Sequence, residues 1–247
     1  MLNTATVGLI YPDHAAEDDY PHAAALLGVD LPVAHIYGTD LHAVPELLEL
    51  GSPAKLAHGV ELLAPHQPEA VVWACTSGSF VYGPAGARAQ AEGLTRVAGV
   101  PASSTSFGFA NAARALGVQQ VAVVASYPDE IARLFLDFLA AAGIEVVSMS
   151  SADIDTAAEV GTLSPAQVLD LAVANDHPDA AAVLIPDTAM HTLAVLPELE
   201  AALGKPVLTA NQVTVWEGLR LAGLLDRLPE RPSLGALFTE ITTDADR

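Results

Sequence analysis

Short apolar runs of four to seven residues alternate along this chain with longer stretches whose apolar positions recur at helical spacing. That alternation is the pattern of βα units built around parallel sheets. In the first half it predicts strands near 6–11, 31–36, 69–74 and 97–101, and helices near 14–27, 52–65, 84–95 and 106–116. In the second half the strands fall near 120–126, 144–149, 180–185 and 206–209, with helices near 128–142, 164–175, 192–203 and 212–223. The tail through Leu237 and Phe238 to Thr243 is weakly periodic and is expected to pack back on the first half.

The two halves repeat one another. Val7-Gly8-Leu9-Ile10-Tyr11-Pro12-Asp13 matches Val121 to Asp129, and both stretches end in Tyr-Pro-Asp. Ala70-Val71-Val72-Trp73-Ala74-Cys75-Thr76 matches Ala182-Val183-Leu184-Ile185-Pro186-Asp187-Thr188, with Cys75 exchanged for Asp187. Gly99-Val100-Pro101 and the helix after it match Gly204-Lys205-Pro206 and its helix. The pattern predicts an α/β protein of two pseudo-symmetric Rossmann-like subdomains, each a four-stranded parallel sheet flanked by helices. Residues 1–117 with 214–247 form the first and 118–213 the second. In such sheets ligands bind beyond the carboxyl ends of strands. Cys75 and Asp187 are therefore expected to meet across one cleft.

Composition narrows the partners. The chain has 247 residues, 51% of them hydrophobic, and a formal net charge of −20. No basic stripe exists to neutralise phosphates, so nucleic acid and anionic membrane are not expected partners. An anionic substrate must instead be held by local N–H groups and hydroxyls. A single cysteine excludes an intrachain disulfide. With no signal-peptide pattern and no apolar run of about 18 residues, the expected location is cytoplasmic. The oligomeric state is open, with a homo-oligomer among the expectations.

Cys75 heads the small polar run Thr76-Ser77-Gly78-Ser79, whose N–H groups can cradle an anion and favour the thiolate. The alternative is a buried structural cysteine. Asp187 interrupts an apolar run at a strand end; it is either a proton-transfer group or the N-cap of a turn starting at Thr188. A carboxylate facing a thiol gives a coupled pair able to supply one acid and one base. Thr76, Ser77, Tyr127 and Thr188 are hydroxyl donors placed to hold a carboxylate, and Pro12, closing the first strand, is assigned to the same substrate site. Tyr11 reads as a rim aromatic. The histidines, among them His14, His22, His35, His58, His177 and His191, show no metal-ligand spacing, so no metal is expected. Gly83, Gly86 and Gly93 form neither a G-x-G-x-x-G nor a P-loop, so no nucleotide or other cofactor is expected.

These motifs resemble the aspartate/glutamate racemase superfamily, and most of all its arylmalonate decarboxylase and maleate cis–trans isomerase branch. The carriers are Val7 to Pro12, Ala74-Cys75-Thr76-Ser77-Gly78-Ser79-Phe80, Ala125-Ser126-Tyr127, and Gly204 through Trp216 to Gly223. The resemblance implies cofactor-free, metal-free chemistry beside a carboxylate, between two α/β halves. In the isomerases the cysteine matched by Cys75 attacks the double bond of a cis-diacid. In the racemases two cysteines act as acid and base; in the decarboxylases the first position is glycine and the second cysteine remains. Thr76, Ser77 and Tyr127 match the family's carboxylate-binding donors. Here Asp187 replaces the second cysteine. His14 and Ala15 stand where the isomerases have an asparagine, and Ala157 stands where they have another. The leading expectation is a maleate isomerase-like isomerase or racemase of a small carboxylic acid, working through Cys75 and Asp187 and an enediolate or Cys-adduct intermediate. A decarboxylase is second, and a non-catalytic carboxylate-binding protein third.

Overall fold

A computed structural model describes residues 5–239. Strands β1 (Val7–Pro12), β2 (Val33–Ile36), β3 (Ala70–Trp73) and β4 (Ala102–Ser104) form one parallel sheet in the order β2-β1-β3-β4. Strands β5 (Gln120–Ala125), β6 (Glu145–Ser151), β7 (Ala182–Ile185) and β8 (Val207–Thr209) form the second, in the order β6-β5-β7-β8. The two orders are the same permutation, which is the repeat of the sequence written in space. The expected α/β architecture of two four-stranded parallel sheets is the one observed.

The helices are α1 (Asp19–Leu27), α2 (Val44–Leu50), α3 (Pro53–Leu63), α4 (Ser77–Phe80), α5 (Gly83–Ala98), α6 (Thr105–Ala115), α7 (Asp129–Ala141), α8 (Ala157–Val160), α9 (Pro165–Ala174), α10 (Leu196–Leu203) and α11 (Ala210–Leu221). They cover both faces of the sheets. This is why the inner strands β3 and β7 are apolar at every position and buried throughout. Close approach to β1 uses glycine on each side. A Cβ on Gly59 of α3 would sit 2.6 Å from Ile10 Cγ2, and one on Gly218 of α11 would sit 2.4 Å from Val7 Cγ1. Helix α11, although it follows the second sheet in sequence, thus packs on the first. Val7, Leu9, Phe109, Val121, Phe135, Leu208 and Trp216 share one core that joins the halves. Each such side chain contributes roughly 1.5–3 kcal/mol on burial.

The structure departs from the sequence pattern in three places. The apolar Val97 to Val100 is not a strand: α5 runs to Ala98 and stops at Gly99, whose φ of 70° closes the helix. The edge strand is instead the small, polar Ala102–Ser104. Helix α1 starts at Asp19, which leaves residues 13–18 as a loop. The short helices α2 and α8 carry no signal that the pattern resolved. Of the tail, Leu237 and Phe238 are buried in the shared core, and residues 240–243 lie outside the described residues. No helix among the described residues is long and apolar enough to cross a membrane.

Candidate functional site

A cleft of about 550 Å³, its open mouth included, lies beyond the carboxyl ends of β1, β3 and β7. Pro12, Cys75, Ser77, Asp187 and Thr188 all line it, as do Tyr11, Asp13, His14, Ala15 and His42. The two strand ends exchanged in the repeat therefore do face one space. Its roof joins the halves: Leu41 bridges Thr156, His42 N–H donates to Asp155 O at 2.7 Å, and Ala157 N–H donates to Asp40 O at 2.9 Å.

Cys75 is 3% exposed and packs with Trp73, Ile10 and Leu50. The chain turns sharply after it into α4, so that Gly78 N–H donates to Cys75 Sγ at 3.2 Å and Ser77 Oγ stands 3.7 Å away. Only glycine allows this approach, since a Cβ at position 78 would lie 2.9 Å from the Trp73 ring and 3.1 Å from Sγ. The N–H groups expected to favour a thiolate are present, but they lose. Burial pushes the thiol up to about 11, against the lowering effect of Gly78 and Ser77, and the Asp187 charge adds to the rise. The expectation of a ready thiolate is corrected: desolvation outweighs two hydrogen bonds, and Cys75 rests as the thiol.

Asp187 is as buried as Cys75 but differently furnished. Its Oδ1 accepts the Ala189 N–H at 2.9 Å and its Oδ2 accepts the Ser126 hydroxyl. The next helical turn starts only at Leu193, so Asp187 caps no helix. The Ala189 bond and the Met190 N–H donated to Asp187 O at 3.3 Å nevertheless make it the cap of the turn at Thr188 and Ala189, as the alternative reading expected. His42 Nε2 stands 3.9 Å from Asp187 Oδ2, both side chains buried. His42 Nδ1 lies 3.1 Å from Ile154 O, a pure acceptor, so Nδ1 carries a proton and Nε2 is the nitrogen turned to Asp187.

The Asp187 loop is tied to the other half. Tyr11 Oη donates to Thr188 O at 2.8 Å and accepts from Ala16 N–H at 3.0 Å. Asp19 Oδ2 accepts from Thr192 N–H, Leu193 N–H and Asn211 Nδ2 at 3.1, 3.3 and 2.9 Å. Burial raises the proton affinity of Asp19 in spite of these donors. Tyr11 is thus a strut, not a rim aromatic.

Two expected donors stand behind the wall. Tyr127 is buried and donates its hydroxyl to Pro186 O, which leaves no donor for a carboxylate. Thr76 is fully buried and lines no part of the cleft, so of the four expected hydroxyls only Ser77 and Thr188 do. Ser126 and His42 are the residues that sequence reasoning missed. Ser126 sits in the repeated Ala125-Ser126-Tyr127 anchor, and that was the available signal. His42 lies in an unrepeated loop and carried none.

Some of the histidines are grouped in space. Although their spacing along the chain fits no ligand motif, the loop after β1 and the neighbouring strand β2 bring His14, Glu17 and His35 together, with one ligand atom of each within 4.8 Å of the others. Parallel pairing of β1 with β2, not spacing, assembles this group.

Comparison with known proteins agrees with the geometry. The family model described as arylmalonate decarboxylase matches residues 53–237. The arylmalonate decarboxylase of Bordetella bronchiseptica is 31% identical over 244 residues, covering 97% of this chain and 99% of that protein. A maleate isomerase of Alcaligenes faecalis is 29% identical over 133 residues, 53% of this chain and 52% of that one. Among solved structures, a cysteine-to-alanine variant of the maleate isomerase from Pseudomonas putida S16 with maleate superposes with a TM-score of 0.87 at 22% identity, over 96% of this chain and 98% of that chain.

Proposed function

Because this chain belongs to the arylmalonate decarboxylase family, we propose that it is an enzyme acting on a small carboxylic acid without a cofactor, an isomerase or racemase with Cys75 and Asp187 as its proton-transfer pair. The observation that carries this reading is that the two groups line one cleft in opposite surroundings. Cys75 is buried as a thiol, while Asp187 has two donors aimed at its two oxygens, as suits a carboxylate. An acid on one wall and a base on the other can move a proton from one face of a carbon to the opposite face.

The step balances as follows. Asp187 takes the α-proton, and the C–H electron pair moves into the substrate carboxylate to give an enediolate. Cys75 S–H then supplies a proton to the other face and becomes the thiolate. Return of the proton from Asp187 to Cys75, directly or through water, restores the pair. Ser77 and Thr188 hold the substrate carboxylate, whose growing charge they stabilise. His42, next to Asp187 and inside the cleft, stands on the path of that return.

The second reading is a decarboxylase. It is favoured by the near-complete match to a decarboxylase and by the apolar wall of Leu41, Leu47, Leu50 and Ala157, which would desolvate a departing carboxylate. Cys75 would then protonate the enediolate left by carbon dioxide, and Asp187 would not be needed as a base. Incubating the protein with a panel of mono- and dicarboxylic acids in D₂O, followed by NMR, separates the readings. Deuterium at the α-carbon, or a changed double-bond geometry, without loss of mass supports the isomerase or racemase. Release of carbon dioxide supports the decarboxylase, and no change in any acid leaves a binding protein.

A further inference from the structure

At the mouth of the cleft the loop that leaves β1 folds over the end of β2 and stacks the His14 ring on the His35 ring, with centroids 4.1 Å apart. His14 Nδ1 lies 2.5 Å from Glu17 Oε1. Glu17 is held from its other oxygen by Ala15 N–H at 2.8 Å. His35 Nδ1 lies 2.7 Å from Asp13 O, and a carbonyl can only accept, so Nδ1 is the protonated nitrogen and Nε2 is left with its lone pair. Asp13 reaches this position through a left-handed backbone, φ 49°, an uncommon conformation for a residue other than glycine.

We propose that His14, Glu17 and His35 bind a divalent transition-metal ion of the zinc, nickel or cobalt kind. Two imidazoles and a carboxylate are a donor set for these ions, with metal–ligand distances of about 2.0–2.2 Å and open positions for water or an outside carboxylate. A ring N–H given to a backbone carbonyl is the outer contact that ligating histidines characteristically make, and His35 has it in place. The ion would take the place of the direct contact between His14 Nδ1 and Glu17 Oε1. Access is open: His14 is exposed, and Glu17 and His35 line a surface groove with Asp18 and His191.

The chain supplies its own contrast. His58 and Glu61 repeat the His-x-x-Glu spacing of His14 and Glu17, with Nδ1 3.6 Å from Oε2. No third ligand joins them among the described residues, and that pair makes no site. The proposal does not depend on which reaction the cleft performs.

The test is titration of untagged, chelator-stripped protein with Co²⁺, read by its visible absorption, and with Zn²⁺, read by calorimetry. One equivalent should bind with the absorption of a low-coordinate site. His35→Ala, His14→Ala and the isosteric Glu17→Gln should each weaken binding by at least about 10-fold, while His58→Ala should leave it unchanged. Circular dichroism of each variant checks that the fold persists. Absence of saturable binding to the wild type, or equal binding by wild type and the His14, Glu17 and His35 variants, overturns the proposal.

Discussion

The ends of β3 and β7 occupy the same place in the same topology, yet they hold their reactive groups by opposite means. Cys75 is held from within its own half: a tight turn brings back Gly78 N–H, and apolar side chains close around the sulfur. Asp187 is held across the cleft and along the sheet, by Ser126 from the neighbouring strand end and by a loop tied to Tyr11 and Asp19 of the other half. The first environment offers little but desolvation and keeps its group neutral. The second supplies donors to both oxygens and suits a charge. Two equivalent positions thus receive opposite surroundings through packing, and the acid and base roles proposed for them rest on that difference.

The largest effect should come from removing either member of the pair. With the acid that the D₂O panel identifies, Cys75→Ser and Asp187→Asn should each lower turnover by about 10²–10⁴-fold while the fold persists. Asparagine can keep the Ala189 bond, so near wild-type turnover in Asp187→Asn would remove the base from the mechanism. Asp19→Ala attacks the tie that only the second strand end has. It strands three donors in a buried position and should cost about 3 kcal/mol in denaturant unfolding, with Asp19→Asn milder because one amide oxygen can take their place. A loss below about 0.5 kcal/mol would show that the tie does not hold the loop. His42→Gln should lower turnover more than it raises KM, and wild-type turnover in that variant would exclude His42 from the proton return.

A smaller effect follows from the thiol itself. Its folded value, about 11, lies above the ordinary 9.0, so unfolded chains release this proton first as pH rises. The contribution of Cys75 to stability is full below pH 9 and is lost between about 9 and 11. Wild type should therefore lose stability across that interval relative to Cys75→Ser in parallel unfolding curves.

The architecture was legible because buried parallel strands are written as short apolar runs. The repeat paired Cys75 with Asp187 because each ends such a run. What stayed hidden was decided by contacts between distant segments. The run from Val97 to Val100 reads as a strand, but the left-handed turn at Gly99 ends a helix there. Tyr127 and Thr76 carry the expected hydroxyls at the expected strand ends, and only packing shows that Pro186 takes one and burial hides the other. His42 reaches Asp187 through the Leu41–Thr156 bridge, which joins residues far apart in sequence. The ready thiolate failed for a matter of magnitude, since two donors do not offset complete burial.

The protonation of Cys75 is the claim on which the acid–base reading rests, and the chain's single cysteine makes it directly measurable. Carbon-13 labelled cysteine should give one β-carbon resonance whose shift can be followed with pH. The account predicts a thiol through neutral pH that titrates near 11 and moves lower in Asp187→Asn, where the opposing charge is gone. A resonance already in its thiolate position at pH 7, or one indifferent to Asp187→Asn, would contradict it.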